Sequence, residues 1–332
     1  MRILVTGGAG FIGSHFVKLA LKQESVSKVV NLDKLTYAGN LATLKDIEND
    51  ERYSFVKGDI ADEAVIEDIF KSGIDIVVNF AAETHVDRSI KSASDFITTD
   101  IKGVHVLLEA ARKYPLKRFI QISTDEVYGS IKEGAADERY PLMPANPYSA
   151  SKSGGDRLAY SYYNTYDVPV IVTRASNNYG PFQYPEKLIP LFITNALDNM
   201  KLPMYGDGLY IRDWIHAVDH CKAVWFLLEN GVNGEIYNIG GGNEKTNKEL
   251  TEFILDELNL GWTMVETVKD RPGHDRRYAL SCEKMHNLGW TPEISYIDGL
   301  KDTINWYKEN RWWWESIKSG EYKKYYADHY GK

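Results

Sequence analysis

Short apolar runs that end on a glycine, an alanine or a polar residue are each followed by a stretch whose apolar positions recur at helical spacing. Residues 2–6, 28–32, 53–57, 74–80, 118–123 and 168–173 read as buried strands. The stretches opening near 11, 64, 95 and 148 read as helices, with Phe16, Leu19 and Ala20 marking the apolar face of the first. Strand and helix in alternation predict a parallel sheet covered on both sides, a doubly wound α/β fold. The alternation breaks at 174–181, where turn formers gather, and beyond it basic, aromatic and amide residues stand at what read as loop positions. A helix over 216–230 and a strand over 235–239 are expected to revisit the first sheet. A helix over 246–258 then follows, with Thr246 and Glu249 spaced as a capping box. The expected division is a sheet domain of residues 1–176 with a return segment at 213–239, and a smaller C-terminal α/β domain of 177–212 and 240–332 that binds the second ligand.

Composition narrows the partners. The 332 residues are 43% hydrophobic and 26% charged, enough for a large core. A net charge of −8 disfavours nucleic acid but leaves room for a small anion held by local Arg and Lys. Cys221 and Cys282 are the only cysteines, too few for a disulfide framework, so a reducing compartment is expected. His85 has no Cys or His at ligand spacing, and no metal is expected. Met1 does not open a signal peptide and no stretch approaches membrane-spanning length; a cytoplasmic protein with no membrane partner is the expectation.

The chemistry sits at strand ends. Gly7-Gly8-Ala9-Gly10-Phe11-Ile12-Gly13 joins the first strand to the first helix, letting a backbone turn approach a pyrophosphate at a helix N-terminus. Asp33, twenty residues after Gly13, stands where a carboxylate would bind ribose hydroxyls and repel a 2′-phosphate, so the cofactor is read as NAD, not NADP. Asp59 and Ile60 follow the third strand and can flank adenine, although a helix N-cap is a comparable reading for Asp59. Ala81 and Ala82 are small enough to let the cofactor pass close to backbone. Thr124, Asp125 and Glu126 end the fifth strand, and Tyr148 and Lys152 open the next helix one turn apart. A Tyr-x-x-x-Lys pair alone is a weak pattern, usually a solvated face. In this setting the Lys charge is expected to lower the Tyr pKa and make a general base. Neighbouring strand residues point to opposite faces, so for both carboxyls to reach one ligand the strand must end by Thr124. Farther on, Lys187, Pro203, Met204, Tyr205 and Arg212 suit a nucleotide diphosphate sugar, and Arg271 in the charged stretch 270–277 reads equally as a diphosphate contact or a solvated turn. Trp312, Trp313, Trp314, Tyr325 and Tyr326 read as packing or a subunit contact.

On the glycine turn, the Tyr148/Lys152 pair and the Thr124-Asp125-Glu126 run, the chain resembles the extended short-chain dehydrogenase/reductase family, and within it the branch that dehydrates nucleotide sugars. The resemblance implies a Rossmann-type NAD domain and extends the cofactor set to Lys34, Leu35, Thr36, Phe80, Thr99 and Asn178. For the nucleotide sugar it implies Thr84, Asn177, Lys187, Leu188, Arg212, Asn247 and the run Asp270, Arg271, Pro272, Gly273 and His274. The implied reaction is dehydration of dTDP-glucose in deoxysugar synthesis, such as that of rhamnose. Tyr148 removes the carbon 4 hydroxyl proton beside Thr124, Glu126 removes the carbon 5 proton, and Asp125 protonates the departing carbon 6 hydroxyl. A homodimer through the long helices is also implied. An epimerase or decarboxylase of nucleotide sugars would need no elimination acid, and a non-catalytic dinucleotide sensor would need no base.

Overall fold

The computed structural model describes residues 1–319, so the reading of Tyr325 and Tyr326 lies outside the described residues. The apolar runs form β1 (Arg2–Thr6), β2 (Lys28–Asp33), β3 (Tyr53–Lys57), β4 (Ile76–Asn79), β5 (Arg118–Thr124) and β6 (Val170–Ala175). After β7 (Asn177–Tyr179), β8 (Leu202–Tyr205) and β9 (Ile211–His216), β10 (Ile236–Ile239) returns to the same sheet and pairs in parallel with β6. Across the seven strands the order is β10-β6-β5-β4-β1-β2-β3, every pair parallel. Chain direction across the sheet reverses between β1 and β4, and a crevice at the carboxyl ends of strands is the expected ligand position at such a switch.

Both faces are covered. Helices Phe11–Leu21 and Ala217–Asn230 bury Phe16, Val17, Val224 and Leu227 against Ile3, Val5 and Ile120. On the other side, helices Glu63–Lys71, Val104–Lys113 and Pro147–Tyr166 bury Phe70, Leu107, Leu108 and Ala159 against Leu4, Val77 and Phe119. Each fully buried side chain of this size contributes roughly 1.5–3 kcal/mol. Arg174 on β6, fully buried, is neutralised by Asp156 of helix Pro147–Tyr166 through bonds of 2.8 and 3.1 Å, and it also donates to the Tyr128 hydroxyl. That pair pins the helix carrying Tyr148 and Lys152 to the sheet.

Four expectations change. β4 begins at Ile76 instead of 74; just before it, Asp75 meets Arg2 of β1 twice, its amide donating to the Arg2 carbonyl at 2.9 Å and its carboxylate accepting the Arg2 amide at 2.8 Å. The single helix expected from 95 is Ser94–Ile97, a widened π turn Thr98–Gly103, and Val104–Lys113. The widened turn packs against two glycines, and a Cβ on Gly155 would lie 2.3 Å from the Asp100 carbonyl oxygen. The turn formers at 174–181 include the end of β6 and all of β7, which pairs with β9. Positions read as loop after 187 also prove regular: Leu188 opens helix Leu188–Leu197, Pro203 to Tyr205 lie on β8, and Arg212 lies on β9. Polar strand residues hid β9, since Asp213 is satisfied by the distant amides of Gly241 and Asn243 at 2.9 and 2.5 Å.

β9 lies between β7 and β11 (Glu244–Thr246), while β8 pairs with β12 (Val265–Val268). Helices Leu188–Leu197, Asn247–Glu257 and Tyr296–Glu309 join them around Phe192, Leu250, Leu300, Trp313 and Trp314. Thr246 and Glu249 form the capping box. Trp313 and Trp314 are packed inside, whereas Trp312 is 57% exposed.

Candidate active site

A cavity opens at the carboxyl ends of the strands, and all the residues expected around a dinucleotide line it except Leu35. Leu35 instead packs on the apolar core, and its amide is taken by Asp33 at 2.8 Å. The glycine turn is required by contact: a Cβ on Gly13 would sit 2.2 Å from the Gly7 carbonyl oxygen. Helix Phe11–Leu21 begins immediately after Gly10, so its first-turn amides, which have no partner within the helix, lie at the cavity wall. Asp33 is held at the end of β2 by the Ala9 amide at 2.9 Å. Asp59 is not the helix N-cap, a role taken by Asp62; it pairs with Lys34 at 2.7 Å.

Thr124 is the last residue of β5 and caps a 3-10 turn, Asp125–Tyr128, accepting the Glu126 amide on its hydroxyl at 3.3 Å. The strand therefore ends before the two carboxyl residues, and both line the cavity. Their environments differ. Burial and the neighbouring Glu126 push Asp125 well above the carboxylate range, toward its neutral form. Glu126 is also raised by burial, but Arg271, Arg212 and Lys187 pull it back. Two carboxyls whose surroundings separate them in this way are suited to differ in proton affinity.

Tyr148 stands at the start of helix Pro147–Tyr166, whose first turn is set by Pro147 and by a capping box between Asn146 and Ser149. Lys152, one turn on, is buried and donates to the Ile122 carbonyl at 2.8 Å. The expected depression of the Tyr148 pKa by Lys152 is not found in the protein alone. Burial and the carboxyls of Glu126, Asp100 and Asp125 raise it well above the phenol range. A cationic group beside it is needed to make it a base.

Asp100 and Glu83 form a second carboxyl pair. Asp100 accepts Ser151 Oγ at 2.6 Å and the Glu83 amide at 3.1 Å. Burial lifts Asp100 to about 6, and burial with Asp100 and Asp95 lifts Glu83 to about 7 against the opposing pull of Lys34 and Arg88. Neither was read from the sequence, and only the widened turn brings them together. Between the ordinary carboxylate range and about pH 7 the folded chain holds more protons here than the unfolded one, so stability falls as pH rises. Thermal unfolding of the ligand-free protein between about pH 5 and 8 should lose stability less steeply in Glu83→Gln than in wild type.

A neighbouring cavity continues from Glu126 and is lined by Asn177, Lys187, Leu188, Pro203, Tyr205, Arg212, Asn247, Arg271 and His274. Thr84 lines the first cavity and accepts Lys187 Nζ at 3.1 Å. Met204 faces the apolar core instead, Asp270 is held by the Tyr210 hydroxyl and by His274, and Pro272 and Gly273 do not line either cavity. Arg271 is no solvated turn: it is largely enclosed and pairs with Asp87 at 3.4 Å. Sequence reasoning missed Tyr278, whose hydroxyl bonds Asp275 at 2.8 Å and Glu126 at 3.4 Å; an aromatic following a charged run was its only signal. Asp125 Oδ2, Asn177 Oδ1, Asn247 Oδ1 and Arg271 Nε are buried without a hydrogen-bond partner. Unsatisfied polar atoms converging on two joined cavities fit a polar ligand, and three cations fit a diphosphate.

The family model described as GDP-mannose 4,6 dehydratase matches residues 4–303. A dTDP-glucose 4,6-dehydratase of Streptomyces niveus is 53% identical over 324 residues, 96% of each chain. The crystal structure of DesIV, a dTDP-glucose 4,6-dehydratase from Streptomyces venezuelae with NAD bound, superposes with a TM-score of 0.94 at 51% identity, covering 96% of this chain and all of that one. A UDP-glucose 4-epimerase of Thermotoga maritima reaches a TM-score of 0.86 at 31% identity, covering 94% of this chain and all of that one. The scaffold is thus shared with epimerases, whereas half of the residues are shared with dehydratases, and the chain belongs to the dTDP-glucose 4,6-dehydratase family of extended short-chain dehydrogenase/reductases.

Proposed function

We propose that this protein is an NAD-dependent hydro-lyase that converts dTDP-glucose to dTDP-4-keto-6-deoxy-glucose. The observation that carries the reading is the strand end at Thr124, which turns Asp125 and Glu126 toward the cavity that Tyr148 and Lys152 line. NAD bound along the glycine turn and Asp33 supplies a hydride acceptor that is restored within each cycle, and its cationic ring favours a Tyr148 phenolate. Tyr148 takes the proton of the carbon 4 hydroxyl, with the Thr124 hydroxyl beside the same oxygen. The resulting ketone acidifies carbon 5. Glu126 removes that proton, Asp125 protonates the hydroxyl leaving carbon 6, and Glu126 returns a proton to carbon 5 when carbon 6 is reduced. Lys187, Arg212 and Arg271 hold the diphosphate, with Asn177 and Asn247 on the remaining polar edges. Residues 1–176 with 213–239 serve as the NAD domain and the remainder as the nucleotide-sugar domain. Exposed Ile97, Tyr160 and Tyr166 on the helical face support pairing with a second copy, and the free cysteines support a cytoplasmic setting. The product enters deoxysugar synthesis, rhamnose among the routes.

An epimerase reading rests on the shared scaffold, but leaves the Asp125/Glu126 pair without a task. Mass spectrometry of the product of dTDP-glucose in deuterium oxide separates the two. Loss of one water with deuterium at carbon 5 is expected; an unchanged mass with carbon 4 inverted would refute the dehydratase.

A further inference from the structure

In the proposed dehydration the hydride taken from carbon 4 returns to carbon 6 of the same sugar. The reduced cofactor must stay in place between the two transfers, since its loss would strand a 4-keto sugar that keeps its carbon 6 hydroxyl. A closed ring of contacts joins three segments, far apart in sequence, that line the cofactor cavity. The Tyr37 hydroxyl donates to the Thr84 carbonyl at 2.6 Å, and Lys187 Nζ donates to the Thr84 hydroxyl at 3.1 Å. Glu186, adjacent to Lys187, accepts Arg88 Nε and Nη2 at 3.2 and 3.0 Å. The Arg88 guanidinium lies 3.6 Å from the centre of the Tyr37 ring, which closes the circuit, and Tyr184 adds an edge contact to Tyr37 at 5.3 Å. Thr36 and Ala38 on either side of Tyr37, Thr84, Tyr184 and Lys187 line the cavity, whereas Tyr37, Arg88 and Glu186 do not.

The backbone marks the same three segments independently. Among the described residues, six that are not glycine have positive φ. Asp167, Asn199 and Asn259 lie at or just past helix C-termini, where Asp and Asn adopt that conformation readily. The other three are bulky: Leu35 (φ 56°) two residues before Tyr37, His85 (φ 105°) next to Thr84, and Phe182 (φ 69°) two residues before Tyr184. Such strain persists where the surroundings over-determine it, and ligand clamps are among its usual places. We propose that the ring is a clasp that holds the cofactor in its cavity through both hydride transfers, with Arg88 as its lock. The inference rests on the dehydratase reading, which supplies the need for retention. Glu186 is buried, so opening the ring strips a buried carboxylate of its Arg88 partner, and the closed state is favoured. The planar guanidinium is used twice, its N–H edge on Glu186 and its face on Tyr37, a combination that an ammonium cannot reproduce. None of the five ring residues belongs to a hydrophobic core, so the clasp can open without unpacking the fold.

The release rate of NADH tests the clasp. Protein loaded with NADH is chased with excess NAD in the absence of sugar, and the change in NADH fluorescence gives the rate. Arg88→Lys, which keeps the charge and loses the planar fork, should release NADH at least about tenfold faster than wild type, while carbon 4 oxidation in a single turnover at saturating NAD stays within about twofold. Release at the wild-type rate would overturn the clasp. Slowing of oxidation by as much as release is quickened would overturn it too, since that marks a general disturbance of the site. Tyr37→Phe keeps the ring under the guanidinium and removes only the bond to the Thr84 carbonyl, and it should release NADH about threefold faster. If the lysine variant does not fold, Tyr37→Phe decides alone, and an unchanged rate overturns the proposal. Failure of the dehydratase reading is seen separately: the release rates need no sugar, whereas wild type would then yield no dehydrated product.

Discussion

Tyr148→Phe should bind NAD and dTDP-glucose yet oxidise carbon 4 about ten-thousandfold more slowly, the upper range for a positioned proton acceptor. The substitution removes one oxygen and leaves the ring. Its edge contact with Phe96 and the capped first turn of helix Pro147–Tyr166 remain, so folding and cofactor affinity should be preserved. Hydride cannot leave carbon 4 unless the hydroxyl proton leaves with it, and the remaining groups are poor substitutes. Burial and Glu126 bias Asp125 toward its neutral form, and Lys152 is committed to the Ile122 carbonyl. The measurement is the single-turnover rise of reduced-cofactor absorbance after mixing with dTDP-glucose. A rise at the wild-type rate would remove Tyr148 from the base role.

Glu126→Gln should separate the chemistry at a different point. Oxidation at carbon 4 proceeds, the carbon 5 proton stays, and release of dehydrated sugar falls about a thousandfold. Reduced cofactor then accumulates with a 4-keto sugar that retains its carbon 6 hydroxyl and takes no deuterium at carbon 5. The shape of the side chain is kept, so the enclosing cations Arg271, Arg212 and Lys187 lose a counter-charge, not a packing partner. A second consequence follows from the neighbouring acid. Glu126 is among the groups that raise Asp125, so its neutralisation lowers that proton affinity and moves the loss of any residual elimination to lower pH. Normal water loss in this variant would contradict the assignment of Glu126.

Much of this site is local in the chain. The Gly7–Gly13 turn, Asp33 at its strand end and Tyr148 one turn before Lys152 were legible because each depends on spacing within a single strand, turn or helix. The seven-stranded sheet was legible for the same reason, since period and alternation are local properties. Even the end of β5 at Thr124 followed from a local argument about side-chain alternation, and the capping of the Asp125–Tyr128 turn by the Thr124 hydroxyl is its physical cause.

What distance along the chain controls was not legible. β9 carries Arg and Asp where a strand pattern calls for apolar residues, and it is stable because Asp213 meets amides beyond β10. Arg271 could not be told from a solvated turn until Asp87, far upstream, was seen against it. Asp100 and Glu83 became a pair only through a widened helical turn packed on Gly155. The proton affinities are the clearest case. Lys152 at helical spacing from Tyr148 promises a lowered phenol, whereas three carboxyls and burial reverse the direction in the protein alone. Spacing sets which groups can meet; the charges and solvent exclusion around them, drawn from every part of the fold, set what each group does with a proton.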